Sequence, residues 1–209
     1  MKIEVGAFGY IQSKKKWYMS RVLLYAAIAI AIFIFGLCVN KFNRANIFTI
    51  LAVLMVLPAA KAMVAYILFA KYHSVSKDRY EAVYDALASN LDSVHPLCEV
   101  MQTTSVIDQK VTLFTDVVFT SNDKVMNLDF VLMTKRGLYA LVGKSGQDTK
   151  YLLSYLKEIM KQHNYFGEIK VTEKEEKFLS YAKAVGVNGI SDDDLNVKVV
   201  QTMQIYIVK

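Results

Sequence analysis

Eighteen consecutive residues without a charged side chain, 22–39, constrain this sequence more than any other feature. Ile, Ala, Leu and Phe dominate the run, and a helix of this length extends about 27 Å, close to the hydrocarbon thickness of a bilayer. A cleaved secretory signal has a shorter apolar region of roughly 7 to 15 residues. Leu37, directly before Cys38, is also too large for a lipoprotein cleavage site. The run therefore predicts a helix that spans a membrane.

A second apolar run, 47–70, follows a short polar link, 40–46. Pro58 and Lys61 are the two residues that interrupt it. So short a link makes the two helices antiparallel neighbours. Because proline has no N–H and clashes with the carbonyl four residues earlier, we expect a kink that frees the carbonyl near position 54. The sequence predicts a transmembrane hairpin within residues 22–75.

Basic residues are distributed unequally around the two runs. Five precede the first run and three closely follow the second, whereas the link contains two. Because Lys and Arg accumulate on the cytoplasmic side, this bias predicts a multi-pass protein of the cell membrane with both termini in the cytoplasm. Residues 1–21 then form a basic cytoplasmic segment. The residues in it that we expect to contact the lipid surface are Lys14, Lys15, Lys16, Trp17 and Arg21.

Net charge separates the chain into two parts. Residues 1–77 contain ten Lys or Arg and one acidic residue, a net charge of +9, whereas residues 78–209 have a net charge of −3. The excess positive charge therefore belongs to the part nearest the membrane. This indicates anionic membrane lipids as a partner and makes nucleic acid an unlikely partner of the C-terminal part.

Lys61 is the one charged residue inside either run, and an ionisable residue within a span is a candidate functional site. Three interpretations remain open. The side chain extends toward the headgroups, or it pairs with a partner helix or a second protomer, or it serves transport together with Pro58. Apolar hairpins often associate further, so a homo-oligomer through the hairpin is also open.

From residue 76 onward the periodicity changes to that of a folded domain. The i, i+3, i+4 pattern predicts a helix over 80–94, and alternation then predicts three strands of an antiparallel meander. Further helices and strands are expected over 149–163, 168–171, 173–185 and 197–208, with an acidic loop before the last strand. The fold class that follows is α+β: a two-helix hairpin, then a cytoplasmic domain, 76–209, with one mainly antiparallel sheet and two to three helices.

Residues that bind metals or cofactors show no recognisable spacing. His73, His95 and His163 share no ligand pattern with each other or with Cys38 and Cys98, so we expect no metal site, no disulfide and no cofactor. The sequence 143–145, Gly-Lys-Ser, follows a predicted strand, but Gly137 lies one residue too far away for a phosphate-binding loop.

The stretch 128–144, LDFVLMTKRGLYALVGK, resembles the core of the nuclease-related domain of the PD-(D/E)xK group. In that group an Asp on one strand and a Glu-x-Lys on the next hold a divalent metal ion. The resemblance implies Asp129 as metal ligand and Lys144 as the lysine that stabilises charge on phosphate. Val142 stands where the second carboxylate belongs, which implies a degenerate site.

A second resemblance covers more of the chain and lies within its first 61 residues. Residues 2–4, 10–12, 14–16 and 46–61, which end in Leu-Pro-Ala-Ala-Lys, are similar to a group of uncharacterised two-pass membrane proteins of clostridial-type gut bacteria. No activity is established for that group. The resemblance implies that the segment around Pro58 and Lys61 is a family feature.

Three functions are compatible with these features. The first is a membrane-anchored cytoplasmic module that binds an unknown protein partner or senses a ligand without catalysis, because no complete catalytic set is visible. The second is a membrane-tethered, metal-dependent enzyme related to nucleases that uses Asp129 and Lys144. The third is a small oligomeric pore or transporter built around Lys61.

Overall fold

The computed structural model describes residues 5–40, 46–88, 105–108, 111–121, 124–134, 136–143, 146–187, 203 and 205–207. The chain divides into two compact units. One unit is Ile11–His73, and the other combines Met1–Tyr10 with Ser74–Lys209. The second unit is therefore assembled from both ends of the chain.

The first unit contains the two apolar runs as helices. Helix α1 is Tyr10–Val39, and the second run forms α2, Ile47–Leu54, and α3, Val56–Ala70. Both runs are long and apolar enough to cross a membrane, and in their most apolar windows only 6% and 11% of the residues are buried. A core helix of a soluble protein would bury most of such a window. Helix α1 begins well before position 22, so the basic segment is largely helical too.

The second run is interrupted at Met55, about one turn before Pro58. Pro58 offers no N–H to the carbonyl of Leu54, which accounts for an interruption at this point, while the kink itself stays a prediction. At the start of α2, the Asn46 side chain accepts a hydrogen bond from the Thr49 amide at 2.9 Å. A Cβ on Gly36 would lie 2.4 Å from the Cβ of Phe48, so glycine is required where α1 approaches the beginning of α2.

The second unit is built on a five-stranded sheet in the order β1-β2-β3-β4-β5. The strands are β1 Ser105–Asp108, β2 Val111–Thr120, β3 Val125–Thr134, β4 Gly137–Val142 and β5 Glu168–Thr172. Strands β1 to β4 pair antiparallel, and β5 pairs parallel with β4. The predicted meander is thus present, and the α+β class with a mainly antiparallel sheet is confirmed. Strand β1 was not predicted.

The helices of this unit whose bounds the structure describes are α4 Lys77–Ala88, α5 Thr149–Gln162 and α6 Glu175–Val187. One core joins α4 and α6 to alternate residues of the strands. Phe130 and Phe178 stack in it with ring centroids 5.7 Å apart. The other large core residues are Tyr80, Val83, Leu87, Val111, Leu113, Leu132 and Leu141.

The outer edge of β2 is covered by three separate segments. Strand β1 pairs with its beginning, the Gly6 carbonyl accepts a hydrogen bond from the Thr115 amide at 2.8 Å, and Ile207 forms a bridge with Phe119. Gly6 has a φ of 81°, and a Cβ there would lie 2.7 Å from the Phe114 ring. Glycine therefore lets the N-terminal segment lie against the sheet.

The predicted strand over 197–208 is wrong at the residues that the structure describes. Positions 203, 205 and 206 are helical, and Ile207 makes a single bridge. In the antiparallel register of that bridge, residues 203–205 would lie beyond Thr120, where β2 ends, so the strand has no partner there. The predicted helix over 80–94 is described as far as Ala88; His95, Cys98 and the acidic loop 192–194 lie outside the described residues.

Candidate functional site

Asp129, the metal ligand implied by the nuclease resemblance, lies in β3 with 7% of its surface exposed. The β3–β4 register shifts between Leu128 and Phe130, so Asp129 occupies an irregularity of the strand. Such an irregularity redirects a side chain relative to the regular alternation. Here the carboxylate accepts a hydrogen bond from Nη1 of Arg79 at 2.6 Å.

Arg79 bridges two carboxylates that are distant in sequence. Its Nε donates to both carboxylate oxygens of Glu175, at 3.0 and 3.1 Å, while its guanidinium lies 5.7 Å from the ring centre of Phe130. Partial burial alone would lower the pKa of Arg79, but its hydrogen bonds to Glu175 and Asp129 raise the pKa on balance. The buried charge of Asp129 is thus matched by a permanent cation.

A second buried aspartate, Asp116, lies opposite Asp129 on the neighbouring strand. Residues on either side of it pair across the strands, Thr115 with Phe130 and Val117 with Leu128. Asp116 itself has a φ of 54°, in the left-handed region that few residues other than glycine adopt. Strain of this kind persists only where surrounding interactions stabilise it.

The carboxylate of Asp116 provides such interactions with the segment that precedes α4. It accepts a hydrogen bond from the Val75 amide at 2.9 Å and another from the Ser74 hydroxyl. Ser74 and Val75 therefore donate hydrogen bonds to Asp116, and Arg79 donates to Asp129. We name Asp116, Asp129, Arg79 and Glu175, together with residues 74 and 75, which donate hydrogen bonds to Asp116, the aspartate cluster.

Gly143 packs directly against the same region. A Cβ at this position would lie 2.3 Å from both Nδ2 of Asn127 and Oδ1 of Asp129, so only glycine fits without displacing them. Gln147 fastens the backbone of Asn127 by donating to its carbonyl and accepting from its amide, both at 3.0 Å. The buried Oδ1 of Asn127 has no hydrogen-bond partner within the described structure.

The surroundings of Asp129 do not fit a divalent metal ion of the nuclease kind. Val142, at the place of the second carboxylate, is buried and pairs with Leu128. Within the ranges that the structure describes, no three His, Cys, Asp or Glu residues lie close enough together to hold a metal ion. Lys144 lies outside the described residues, so its predicted role stays a prediction. What the cluster can do chemically is hold residues 74–79 on the sheet.

The sequence-based interpretation missed Arg79, Glu175 and Asp116. Asp116 carried a usable signal, because it is a charged residue in the middle of an otherwise apolar and Thr-containing strand. Arg79 and Glu175 carried none, since both occupy the polar face expected of any amphipathic helix. Their distance from Asp129 in sequence hid the ion pairs.

The residues predicted to contact lipid lie at the beginning of α1. Lys14, Trp17 and Arg21 share one face of the helix, with the Lys14 amine 5.5 Å and the Arg21 guanidinium 3.8 Å from the Trp17 ring centre. Lys16 is exposed. Lys15 differs, because its amine donates to the carbonyl of Tyr72 near the end of α3. Lipid contact by these residues stays a prediction.

Comparison with known proteins adds no assignment to this geometry. No protein-family model, no curated protein and no solved structure matches the chain. Both resemblances stated from the sequence therefore remain expectations, and the residues themselves carry the functional argument.

Proposed function

We propose that this chain is a membrane-anchored module whose α+β domain lies in the cytoplasm and acts by binding a protein partner rather than by catalysis. The observation that carries the proposal is that the second compact unit is formed by two chain segments, one before and one after the hairpin. The Gly6–Thr115 hydrogen bond and the contact between the Phe8 and Tyr80 rings, with centroids 4.9 Å apart, join the two ends.

The joining of these two segments in one folded unit limits the possible membrane topologies. A folded unit of this kind occupies one side of a bilayer, so the chain that leaves it at Tyr10 and returns at Ser74 crosses the membrane an even number of times. Two apolar helical runs meet that requirement. The excess of Lys and Arg around the outer ends of the hairpin favours the cytoplasm as the side on which both termini lie.

The non-catalytic part of the proposal rests on the aspartate cluster. A catalytic or metal-binding carboxylate must be available to substrate or ion, whereas the Asp129 carboxylate is bonded to Arg79 at 2.6 Å and almost fully buried. The cluster instead resembles a structural network in its chemistry: Arg79 opposes the charges of Asp129 and Glu175, and Asp116 accepts hydrogen bonds from residues 74 and 75. Anionic lipids are the second proposed partner, at the basic beginning of α1.

Topology is tested with single cysteines in a chain in which Cys38 and Cys98 are replaced by serine. We expect Asn40→Cys, in the link between the helices, to react with a membrane-impermeant maleimide in intact cells. Ser180→Cys, on the exposed side of α6, should react only after the membrane is permeabilised. The reverse pattern would overturn the orientation, and labelling of both in intact cells would overturn the two-pass hairpin.

Metal dependence separates the module from the nuclease-like alternative. We expect millimolar Mg²⁺ or Mn²⁺ to leave the melting temperature of the detergent-solubilised full chain unchanged, because the Asp129 charge is already opposed by Arg79. A rise in melting temperature that Asp129→Ala removes would contradict this expectation and favour a metal-dependent enzyme. Thermal melts of the two proteins, with and without the ions, provide the measurement.

A further inference from the structure

Lys61 lies in the middle of an exposed apolar face of α3. Leu57 and Val64, one turn before and after it, are 69% and 68% exposed, and Ile67 continues the same face. The buried side of α3, with Ala62 and Phe69, lies about a quarter turn away from Lys61 around the helix. Lys61 itself is exposed. The lysine therefore faces away from the interior of its own hairpin unit.

The position of Lys61 along α3 places its charge deep in a bilayer. It precedes Ala70 by nine residues, which corresponds to about 13 Å along the helix axis. A lysine side chain reaches only about 6 Å toward the headgroups, so its ammonium stays within the hydrocarbon. Insertion of such a charge into the hydrocarbon is unfavourable, so a group that opposes the charge stabilises the inserted helix.

No carboxylate of the hairpin can oppose this charge. Residues 11–73 contain no Asp or Glu at all. The hairpin of a second copy cannot supply the opposing carboxylate either, because every copy lacks an acidic residue in this segment. An opposing carboxylate within the membrane has to come from a different protein.

We propose that the exposed face of α3 around Lys61 binds a membrane-spanning helix of another protein, and that this helix carries an Asp or Glu at the depth of Lys61. The proposal rests on the hairpin of the proposed function. Charge complementarity selects the partner, since a carboxylate and a lysine inside the membrane each offset the desolvation of the other. Leu57, Val64 and Ile67 supply the apolar contact around the pair.

The test uses the full chain in liposomes and synthetic polyleucine helices that carry one Asp, or Leu in its place, at the depth of Lys61. Energy transfer between labelled protein and labelled peptide reports association. We expect the Asp peptide to associate about tenfold more tightly than the Leu peptide. Lys61→Met should remove this preference, whereas Lys71→Met, the matched control beyond the end of α3, should keep it.

Two results would overturn the proposal. One is equal association of the Asp and Leu peptides with the unaltered protein. The other is a preference for Asp that persists in Lys61→Met, which would show that a group other than Lys61 recognises the carboxylate. As a positive check, Lys61→Glu should prefer a peptide with Lys at the same depth. Resistance to alkaline extraction, measured on the same liposomes, shows separately whether the hairpin is inserted. Failure of the proposed function is therefore distinguishable from failure of the Lys61 proposal.

Discussion

Arg79→Met is expected to lower the free energy of unfolding of the α+β domain by about 4 kcal/mol. Methionine keeps most of the apolar stem but removes the cation that opposes Asp129. The carboxylate, 7% exposed, is then left buried without its partner. Removal of one member of a buried ion pair destabilises a protein far more than replacement of both members by neutral residues.

A double-mutant cycle isolates this effect. Asp129→Asn in the Arg79→Met background should recover a large part of the lost stability, because the uncompensated charge is gone. Glu175→Gln is the control for the outer, more exposed pair of Arg79 and should cost less than about 1 kcal/mol. Urea unfolding of the full chain in detergent, followed by circular dichroism, measures the unaltered protein, Asp129→Asn alone and the other three variants. Equal losses for Arg79→Met and Glu175→Gln would show that burial of Asp129 is not what makes Arg79 important.

Asp116→Ala is expected to lower the free energy of unfolding by about 3 kcal/mol. Alanine at a φ of 54° keeps the strained backbone without the interactions that offset it. It also leaves the amide of Val75, a buried residue, without its acceptor. Hydrogen exchange at the amides of Ser74 and Val75 should be faster in Asp116→Ala, because the segment before α4 loses its attachment to β2.

Asp116→Asn is the matched control for this prediction. Asparagine tolerates the left-handed conformation and retains a side-chain oxygen that accepts from Val75. We expect it to recover at least half of the loss seen for alanine, with slow exchange at Val75. If Asn and Ala are equally destabilising, the negative charge rather than the hydrogen bond holds residues 74 and 75. Exchange followed by mass spectrometry distinguishes the two outcomes.

Local periodicity predicted the central part of the domain. The alternation of Leu128, Phe130 and Leu132 placed β3 correctly, because side chains that face one core repeat every two residues. The same reasoning missed β1, which is only four residues long. It also gave a wrong strand near 203–206, because an alternating pattern does not reveal where the neighbouring strand ends.

The candidate site was predictable in part. Resemblance singled out Asp129, and the structure places it in a polar cluster, but its partner Arg79 lies fifty residues away. Contacts over such distances depend on how α4 and α6 pack on the sheet. Neither the bridge from Arg79 to Glu175 nor the facing position of Asp116 follows from any local pattern.

The sequence by itself determined the two apolar helical runs, the position of Lys61 and Pro58 in the second, and the lack of any acidic residue in 11–73. These features are properties of consecutive residues, and hydrophobicity over a helix length suffices to find them. Only the tertiary structure decided that Gly6 lies against β2 and that two buried aspartates hold residues 74–79. Those contacts join segments far apart in the chain, and their geometry exists only after the sheet and its helices have packed.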